Sequence, residues 1–239
     1  MNKSKIEWTE TTWNPVTGCT KISKGCLNCY AERMSKRLAG KFGYPKDNPF
    51  QVTLHPNRLF QPSKWKGNRM IFVCSMSDLF HDDIPDSYIS EVLNVVKMCP
   101  QHTFQILTKR AERMLEISKR FSHLPDNLWL GVTVESVEYK NRIGLLSEIE
   151  ARIRFLSCEP LLSDLVKLNL ERINWVIVGG ESGFKSRAMN PEWVINIRNQ
   201  CINKEIPFFF KQWGGVNKKA SGRLLEGVTW DEMPTEQRY

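Results

Sequence analysis

The sequence predicts an α/β fold in which parallel strands form a partial or nearly closed (β/α) barrel, preceded by a cysteine-containing loop. The first observation is a set of six short apolar segments after residue 70, whose nearly unbroken hydrophobicity is typical of strands buried on both faces. The second is that amphipathic segments separate them, so that strand and helix patterns alternate. A doubly wound open sheet is the alternative, because it has the same local pattern.

The six strand candidates are rich in β-branched and aromatic residues; they are residues 70–76, 103–107, 128–134, 153–158, 175–180 and 206–211. A seventh strand is expected to end near Val16, and another short strand is expected over residues 52–54. The helix candidates are residues 30–41, 88–99, 111–121, 137–149 and 191–204. Pro191 suits the first turn of the last helix, with Asn190 as its N-cap.

The length of 239 residues suits a single domain over residues 1–239, with the cysteine loop at 14–30 and a C-terminal extension after about residue 214. No apolar stretch approaches the roughly 20 residues of a membrane helix. The N-terminal sequence lacks the apolar core of a secretory signal, so a cytoplasmic protein without membrane contact is expected. The net charge of +8 favours polyanionic partners such as nucleic acids.

Three of the seven cysteines, Cys19, Cys26 and Cys29, lie close together near the N-terminus, whereas the other four lie singly in apolar segments. The single ones are interpreted as small buried hydrophobic residues, and disulfides are not expected in a reducing compartment. Thiolates in proteins select iron–sulfur clusters, zinc or copper(I). Three thiolates with a vacant fourth position suit a four-iron cluster whose last iron is open to a small molecule.

Two other interpretations of the three cysteines stay open at this point. A structural zinc ion normally takes four ligands, and no nearby histidine supplies the fourth, because the nearest in sequence is His55. Zinc completed by a distant residue is one alternative. Three structural cysteines without a metal are the other.

Polar side chains follow each of the six apolar segments. Because active sites of α/β folds gather at the carboxyl ends of the strands, these side chains indicate a binding site. They are Ser75, Ser77, Asp78, Thr108, Lys109, Arg110, Glu135, Ser136, Glu159, Glu181, Ser182, Lys211, Gln212 and Trp213. His81 lies beside two aspartates and is interpreted as part of an exposed acidic turn rather than as a metal ligand.

A three-cysteine loop followed by a tyrosine, a helix and a parallel barrel resembles the radical S-adenosylmethionine superfamily. The segments SMSDLFHDDIP, LTKRAERM, GVTVES and SCEPLL are similar to the strand ends of its spore photoproduct lyase branch. The spacing differs, since the superfamily commonly has CxxxCxxC and here six residues separate Cys19 from Cys26. The segments WNPVTGC, CLNCYAERM, GVTVES, VGGESG and FFFKQWGG also resemble a phage-associated family with a three-cysteine signature.

This resemblance implies a [4Fe-4S] cluster on Cys19, Cys26 and Cys29 and S-adenosylmethionine as cofactors, with a 5′-deoxyadenosyl radical as the product of cofactor cleavage. It implies a flavodoxin- or ferredoxin-like electron donor. The residues expected to bind the cofactor are Tyr30, Ser75, Ser77, Lys109, Thr133, Glu135, Ser136 and Glu159. Among them, Lys109 is expected to bind the methionyl carboxylate, and Glu135 and Ser136 the ribose hydroxyls. The residues expected to contact substrate are Asp78, Arg110, Glu181, Ser182, Lys211, Gln212 and Trp213.

The sequence therefore predicts a radical enzyme whose substrate is a nucleic acid or nucleotide. The positive charge and the analogy with a DNA-repair branch favour that substrate class. A zinc-binding phage protein that interacts with nucleic acid without radical chemistry is the alternative. A phage scaffold protein with three purely structural cysteines is the third hypothesis.

Overall fold

The structure is a computed structural model that describes Ser4 and residues 6–235. The last residues of the expected C-terminal extension, 236–239, lie outside the described residues. The strands in chain order are β1 (Thr11–Trp13), β2 (Val16–Thr17), β3 (Thr53–Leu54), β4 (Met70–Val73), β5 (Thr103–Thr108), β6 (Leu128–Thr133), β7 (Ile153–Cys158), β8 (Trp175–Gly179), β9 (Phe208–Gln212), β10 (Leu224–Leu225) and β11 (Val228–Thr229). The α-helices are α1 (Tyr30–Leu38), α2 (Asp86–Met98), α3 (Ala111–Ser118), α4 (Asn141–Ser147), α5 (Pro191–Asn203) and α6 (Lys218–Ser221).

Seven strands form one parallel sheet in the order β1-β4-β5-β6-β7-β8-β9, curled into a half-barrel. The order follows the chain without the reversal that defines a doubly wound sheet. The prediction of a partial (β/α) barrel is therefore confirmed, and the open doubly wound alternative is wrong. Among the described residues, no helix is both long and apolar enough to cross a bilayer.

The chain divides into two compact units. The first takes Met1–Ile22 and Cys29–Trp129, and the second takes Ser23–Asn28 and Leu130–Tyr239, as far as these residues are described. Each unit has its own aromatic core. In the first, Trp13 packs edge-on against Phe104 with ring centroids 5.8 Å apart. In the second, Trp175 meets Phe209 at 6.0 Å, also edge-on. The prediction of a single domain is not tested by this division and stays a prediction.

The seventh strand lies slightly earlier in the chain than expected. It is β1, which pairs in parallel with β4 through Trp13 and Val73. The chain then passes through Pro15, whose nitrogen has no hydrogen to donate to a sheet ladder. Val16, where the strand was expected to end, belongs to β2 instead, which pairs antiparallel with β3 in a separate small sheet. The short strand expected over residues 52–54 is present as β3.

The helices begin near their predicted positions and end somewhat earlier. Helix α5 begins at Pro191, and the side chain of Asn190 accepts a hydrogen bond from the Glu192 amide at 3.0 Å, as an N-cap does. The predicted helix over 137–149 is divided into a 3₁₀ turn, Val137–Tyr139, and helix α4.

The last strand of the sheet is covered by the chain that follows it. The amide of Phe210 donates to the carbonyl of Trp230 at 2.8 Å, and the amide of Phe208 donates to the Glu232 carboxylate at 2.9 Å. The indole nitrogen of Trp175 donates to the Glu232 carbonyl at 2.9 Å. Residues 230–232 therefore bind the free edge of β9.

Candidate functional site

The three loop cysteines differ from the other four in their exposure. Cys19, Cys26 and Cys29 are half-buried and form no disulfide, whereas the remaining cysteines are buried; these are Cys74, Cys99, Cys158 and Cys201. Burial raises the pKa of Cys74 and of Cys201 to about 12, and it also raises the pKa of Cys99 and Cys158. The structure supports the interpretation of these four as inert core residues, while the loop thiols are accessible to a metal.

The segment that leads to Cys19 is fixed by backbone contacts in the first unit. The amide of Gly18 donates to the Met76 carbonyl at 3.0 Å, and the amide of Cys19 donates to the Phe50 carbonyl at 3.1 Å. Gly18 has φ +85°, and a Cβ there would lie 2.1 Å from the Gln51 carbonyl oxygen. Only glycine fits this position. The backbone at Gly18 and Cys19 therefore has a well-defined position.

A buried ion pair lies beside Cys19. Asp78 accepts hydrogen bonds from the Thr108 hydroxyl at 2.7 Å and from Arg110 Nη1 at 3.3 Å. The same nitrogen of Arg110 lies 3.6 Å from the Cys19 sulfur, and Nη2 donates to the Thr20 hydroxyl at 2.9 Å. Burial lowers the pKa of Arg110, but the charges of Asp78 and Cys19 outweigh it, so the pKa is raised overall. A permanent positive charge therefore stands beside this thiol.

His81 is buried, only 3% exposed, whereas Asp82 and Asp83 beside it are exposed, so the expected exposed acidic turn is present but the histidine points away from solvent. Its Nδ1 accepts a hydrogen bond from the Asp83 amide at 3.1 Å, so the hydrogen of the neutral ring is on Nε2. Nε2 therefore donates to the Thr20 hydroxyl at 2.8 Å. Burial, together with the charge of Arg110, lowers the pKa of His81 and favours this neutral form. His81 thus supports the residue next to Cys19.

The remaining predicted residues of the first unit follow β4 and β5, except for Tyr30, which belongs to α1. Ser75 donates to the Asn14 side chain at 3.2 Å, and Ser77 donates to the Val16 carbonyl at 2.9 Å. The amide of Lys109 donates to Asp78 at 3.1 Å, whereas its ammonium contacts no partner in the part of the chain that the structure describes. Tyr30 is exposed at the first position of α1.

In the second unit, Glu135 is fully buried behind the segment that carries Cys26. Its Oε2 lies 2.9 Å from Arg142 Nη1, and its Oε1 accepts a hydrogen bond from the Ser23 hydroxyl. Ser23 has a single hydroxyl hydrogen, which goes to the carboxylate. Its oxygen is therefore the acceptor for the thiol of Cys26, 3.5 Å away. The predicted ribose contact of Glu135 stays a prediction, and its carboxylate already holds this loop.

Arg142 also binds the strand that precedes Glu135. Its Nη1 donates to the carbonyl of Thr133 at 2.8 Å, and its guanidinium lies 4.3 Å from the centre of the Tyr139 ring. Ser136, next to Glu135, has a buried hydroxyl for which the described residues provide no hydrogen-bond partner. That hydroxyl is available to a ligand.

A second buried carboxylate, Glu181, contacts the end of the same segment. Its Oε2 accepts from Asn28 Nδ2 at 3.0 Å and from Arg187 Nε at 2.9 Å. Arg187 Nη2 also donates to the Lys24 carbonyl at 3.1 Å. Burial raises the pKa of Glu181, but the hydrogen bonds from Arg187 and Asn28 outweigh burial and lower it overall. Glu181 is therefore ionised; it contacts Asn28 directly, and its partner Arg187 contacts Lys24.

Glu159, Lys211 and Gln212 form a third polar group in the second unit. Lys211 Nζ lies 2.8 and 3.0 Å from the two oxygens of Glu159, and Gln212 Nε2 donates to Glu159 Oε1 at 3.1 Å. Gln212 Nε2 also lies 3.4 Å from the hydroxyl of Ser182. With its nitrogen directed at these acceptors, the buried Oε1 of Gln212 contacts no donor among the described residues. It is available to a donor on a ligand.

Trp213 and the glycine pair that precedes Glu181 contact each other. A Cβ on Gly180 would lie 2.0 Å from the Trp213 carbonyl oxygen, so a close approach of two backbones requires glycine here. The indole nitrogen of Trp213 donates to the Leu224 carbonyl at 2.9 Å, and its ring packs on Phe210 at 4.8 Å. The glycines therefore serve chain packing, and the indole is partly used by the fold.

Sequence reasoning missed the side chains that connect these groups: Thr20, Ser23, Asn28, Arg142 and Arg187. Arginine is usually exposed, so residue type alone does not single out Arg142 or Arg187. Each of them follows its glutamate by six or seven residues. That short separation from a glutamate at a strand end is a signal that could have found them.

Within the described residues, no three His, Cys, Asp or Glu side chains are arranged to hold a single metal ion. In a four-iron cluster each cysteine binds a different iron, so its ligands need not converge on one point. The chemistry of the donor set suits such a cluster, because three half-buried thiols lie close together in sequence and because Arg110 places an N–H beside the Cys19 sulfur.

A groove of about 1130 Å³ lies elsewhere in the second unit, between α4 and the segments that precede β8 and β9. Ile173 and Ile206 line it just before those strands begin. It is thus located at the amino ends of the strands, whereas α/β enzymes place their chemistry at the carboxyl ends. It is not part of the candidate site.

Comparison with known families gives one match that covers most of the chain. A family model described as "Protein of unknown function (DUF5131)" matches residues 3–234. No curated protein matches the chain. Among solved structures, a spore photoproduct lyase complexed with dinucleoside spore photoproduct is similar at 11% identity and a TM-score of 0.47. The alignment covers 83% of this chain and 62% of the lyase chain. At this identity and TM-score the likeness carries no conclusion about activity or ligand.

Proposed function

Because the chain belongs to the DUF5131 family of proteins of unknown function, which assigns no chemistry, we propose a function from its own residues. The protein is a radical S-adenosylmethionine enzyme that binds a [4Fe-4S] cluster through Cys19, Cys26 and Cys29. When bound, the cluster supplies the electron that cleaves S-adenosylmethionine to methionine and a 5′-deoxyadenosyl radical, which abstracts a hydrogen atom from the substrate. A flavodoxin- or ferredoxin-like protein is the external electron donor.

The observation that carries the proposal is the contrast between the loop thiols and the core thiols. Three cysteines of one loop are half-exposed, and the cationic side chain of Arg110 contacts one of them at 3.6 Å. A positive N–H donor beside a sulfur stabilises the thiolate that an iron–sulfur cluster requires. The half-barrel of parallel strands is the fold that the sequence resemblance implies for this chemistry.

The cofactor residues of the proposal have groups available for a ligand. The ammonium of Lys109, which has no partner among the described residues, binds the methionyl carboxylate. The buried hydroxyl of Ser136, with Glu135, binds the ribose hydroxyls. Tyr30, Ser75, Ser77, Thr133 and Glu159 complete the proposed cofactor contacts. In this arrangement the protein orients the cofactor and excludes water, while the cofactor carries the chemistry.

The substrate of the proposed enzyme is a nucleic acid or nucleotide. The net charge of +8 favours a polyanion. The free Oε1 of Gln212 can accept a hydrogen bond from a base or sugar, and half-buried Trp213 lies next to it in the chain. Asp78, Arg110, Glu181, Ser182 and Lys211 are the other proposed substrate contacts.

Metal content and cofactor cleavage test the proposal. Protein purified or reconstituted without oxygen should contain about four irons and as many sulfides per chain and show broad visible absorbance. After reduction it should release 5′-deoxyadenosine from S-adenosylmethionine. Cys26→Ala should lose both properties, whereas Cys99→Ala, which changes a buried cysteine, should keep both. Stoichiometric zinc without visible absorbance would contradict the proposal, as would iron and turnover retained in Cys26→Ala.

A further inference from the structure

The segment 23–28, which we call the Cys26 loop, is short, polar and part of the second unit. Its internal hydrogen bonds are few. The amide of Cys26 donates to the Ser23 carbonyl at 3.0 Å, and the amide of Leu27 donates to the Lys24 carbonyl at 3.3 Å. These two backbone bonds and the weak contact of the Cys26 thiol with the Ser23 hydroxyl, 3.5 Å apart, do not offset the conformational entropy of ordering six residues. Contacts from outside the loop must hold it in place.

Two buried carboxylates provide those contacts at the two ends of the loop. At the beginning of the loop, Glu135 accepts a hydrogen bond from the Ser23 hydroxyl. At its end, Glu181 accepts one from the side-chain amide of Asn28. Each carboxylate is held from behind by an arginine, Arg142 at 2.9 Å for Glu135 and Arg187 for Glu181. The position of each carboxylate is therefore set by a partner that does not belong to the loop.

Two further contacts confine the middle of the loop. A Cβ on Gly25 would lie 2.8 Å from Glu135 Oε1, so the loop backbone packs directly against that carboxylate. Arg187, held by Glu181, also donates to the Lys24 carbonyl at 3.1 Å. The same loop has an exposed ion pair, in which Lys24 Nζ lies 2.6 Å from Glu138. Exposed pairs of this kind contribute little, so Glu138 is a natural control.

We propose that Glu135 and Glu181 are positioning residues that hold the Cys26 loop in its ligating conformation before any metal is bound. That the ordered loop serves to bind a cluster rests on the proposed function. That the loop is ordered is a property of the metal-free protein. A ligand loop that is already ordered binds a metal group without the entropy cost of folding around it.

Amide hydrogen exchange of the metal-free protein, read by mass spectrometry on a peptide that covers 23–28, tests the proposal. Asn28→Ala removes the loop side of the Glu181 contact, together with the 2.9 Å hydrogen bond from Asn28 Nδ2 to the Lys185 carbonyl, and leaves the Glu181–Arg187 pair intact. We expect exchange in the Cys26 loop to accelerate about tenfold or more, since loss of the charge-assisted bond to Glu181 alone changes a local opening equilibrium by about that factor. Asn28→Asp should accelerate it further, because it places a second carboxylate against Glu181. Exchange in helix α5 should not change in either variant.

Glu138→Gln is the matched control and should change loop exchange by less than about threefold. Gly25→Ala tests the Glu135 end without removing a buried charge, and it should also accelerate exchange of the loop alone. Unchanged loop exchange in Asn28→Ala and Gly25→Ala would overturn the positioning role, as would equal acceleration in helix α5. Iron content of the unaltered protein reports on the proposed function separately, since the exchange experiment contains no metal.

Discussion

The guanidinium of Arg110 lies between two acceptors, 3.3 Å from the Asp78 carboxylate and 3.6 Å from the Cys19 sulfur. The pair with Asp78 is buried on both sides. A buried ion pair is strongly destabilising when one partner is removed, because the other charge is left without compensation. The stability of the first unit and the environment of Cys19 therefore depend on the same side chain.

Arg110→Met should destabilise the protein by about 3–5 kcal/mol in urea unfolding, because it leaves Asp78 buried and charged. Adding Asp78→Asn to that variant should recover part of the loss, since the uncompensated charge is then gone. Additive losses in the double variant would show that the two side chains are not coupled.

His55 predicts a loss of stability at acid pH. Burial, together with the charge of Arg58, lowers the pKa of His55 to about 4, and its Nε2 lies 2.8 Å from the Thr17 hydroxyl. In the unfolded chain the pKa is about 6.5, so the unfolded state binds the proton more tightly. The stability contributed by neutral His55 is full above about pH 6.5 and should be lost as the pH falls to about 4, by up to about 3 kcal/mol.

Thermal unfolding between pH 7 and pH 4 checks the role of His55. His55→Gln should flatten the pH dependence, although the buried His81, whose pKa is also lowered, leaves part of it. His123→Gln, which alters an exposed histidine, should leave the slope unchanged. An equal slope in the His55 variant and the unaltered protein would refute the assignment.

Two glycines should respond in opposite directions to alanine. Gly180→Ala would place a Cβ 2.0 Å from the Trp213 carbonyl oxygen, where a backbone must shift, so we expect a loss of about 2 kcal/mol or more. Gly144 is exposed within helix α4, and nothing lies within 4 Å of the position of its Cβ. Gly144→Ala should stabilise by about 0.5–1 kcal/mol. Chemical unfolding measures both, and a stable Gly180→Ala protein would contradict the close approach.

The N-cap of α5 should contribute measurably to stability. Asn190 accepts a hydrogen bond from the Glu192 amide at 3.0 Å, so Asn190→Ala should cost about 1 kcal/mol. Asn190→Asp keeps the acceptor and adds a negative charge at the helix N-terminus, so it should cost little or nothing. Equal losses in the two variants, again by chemical unfolding, would indicate that the cap does not act through this bond.

The strands were predictable from the sequence because each is a nearly unbroken apolar run that ends in a change of composition. The first and last residues of the strands were not predictable. Strand β4 ends at Val73 although the apolar run continues, because Cys74 has φ 59°, outside the extended region. Such a backbone torsion has no signature in a residue that is not glycine. The predicted end of the first strand near Val16 was wrong for a different reason. Pro15 separates Trp13, which belongs to the main sheet, from Val16, which belongs to the small sheet.

For the candidate site, position in the sequence identified the carboxylates but not their partners. Glu135 and Glu181 were identified because they follow strands. Their arginines lie six or seven residues later on a helix or loop, where the sequence pattern is that of an ordinary solvated surface. Whether such an arginine pairs with the glutamate depends on tertiary packing, which residue type alone does not reveal. The predicted ligand contacts of all these residues stay predictions.

The segment 230–232 protects the sheet as well as completing it. Strand β9 contains three consecutive phenylalanines, and its outer edge offers the amides of Phe208 and Phe210. Without Trp230 and Glu232 those amides would face solvent on an apolar strand, which is a template for recruiting strands from other copies. A chain that ends before Trp230 would thus self-associate through β9. It would lose solubility under conditions in which its half-barrel is still folded.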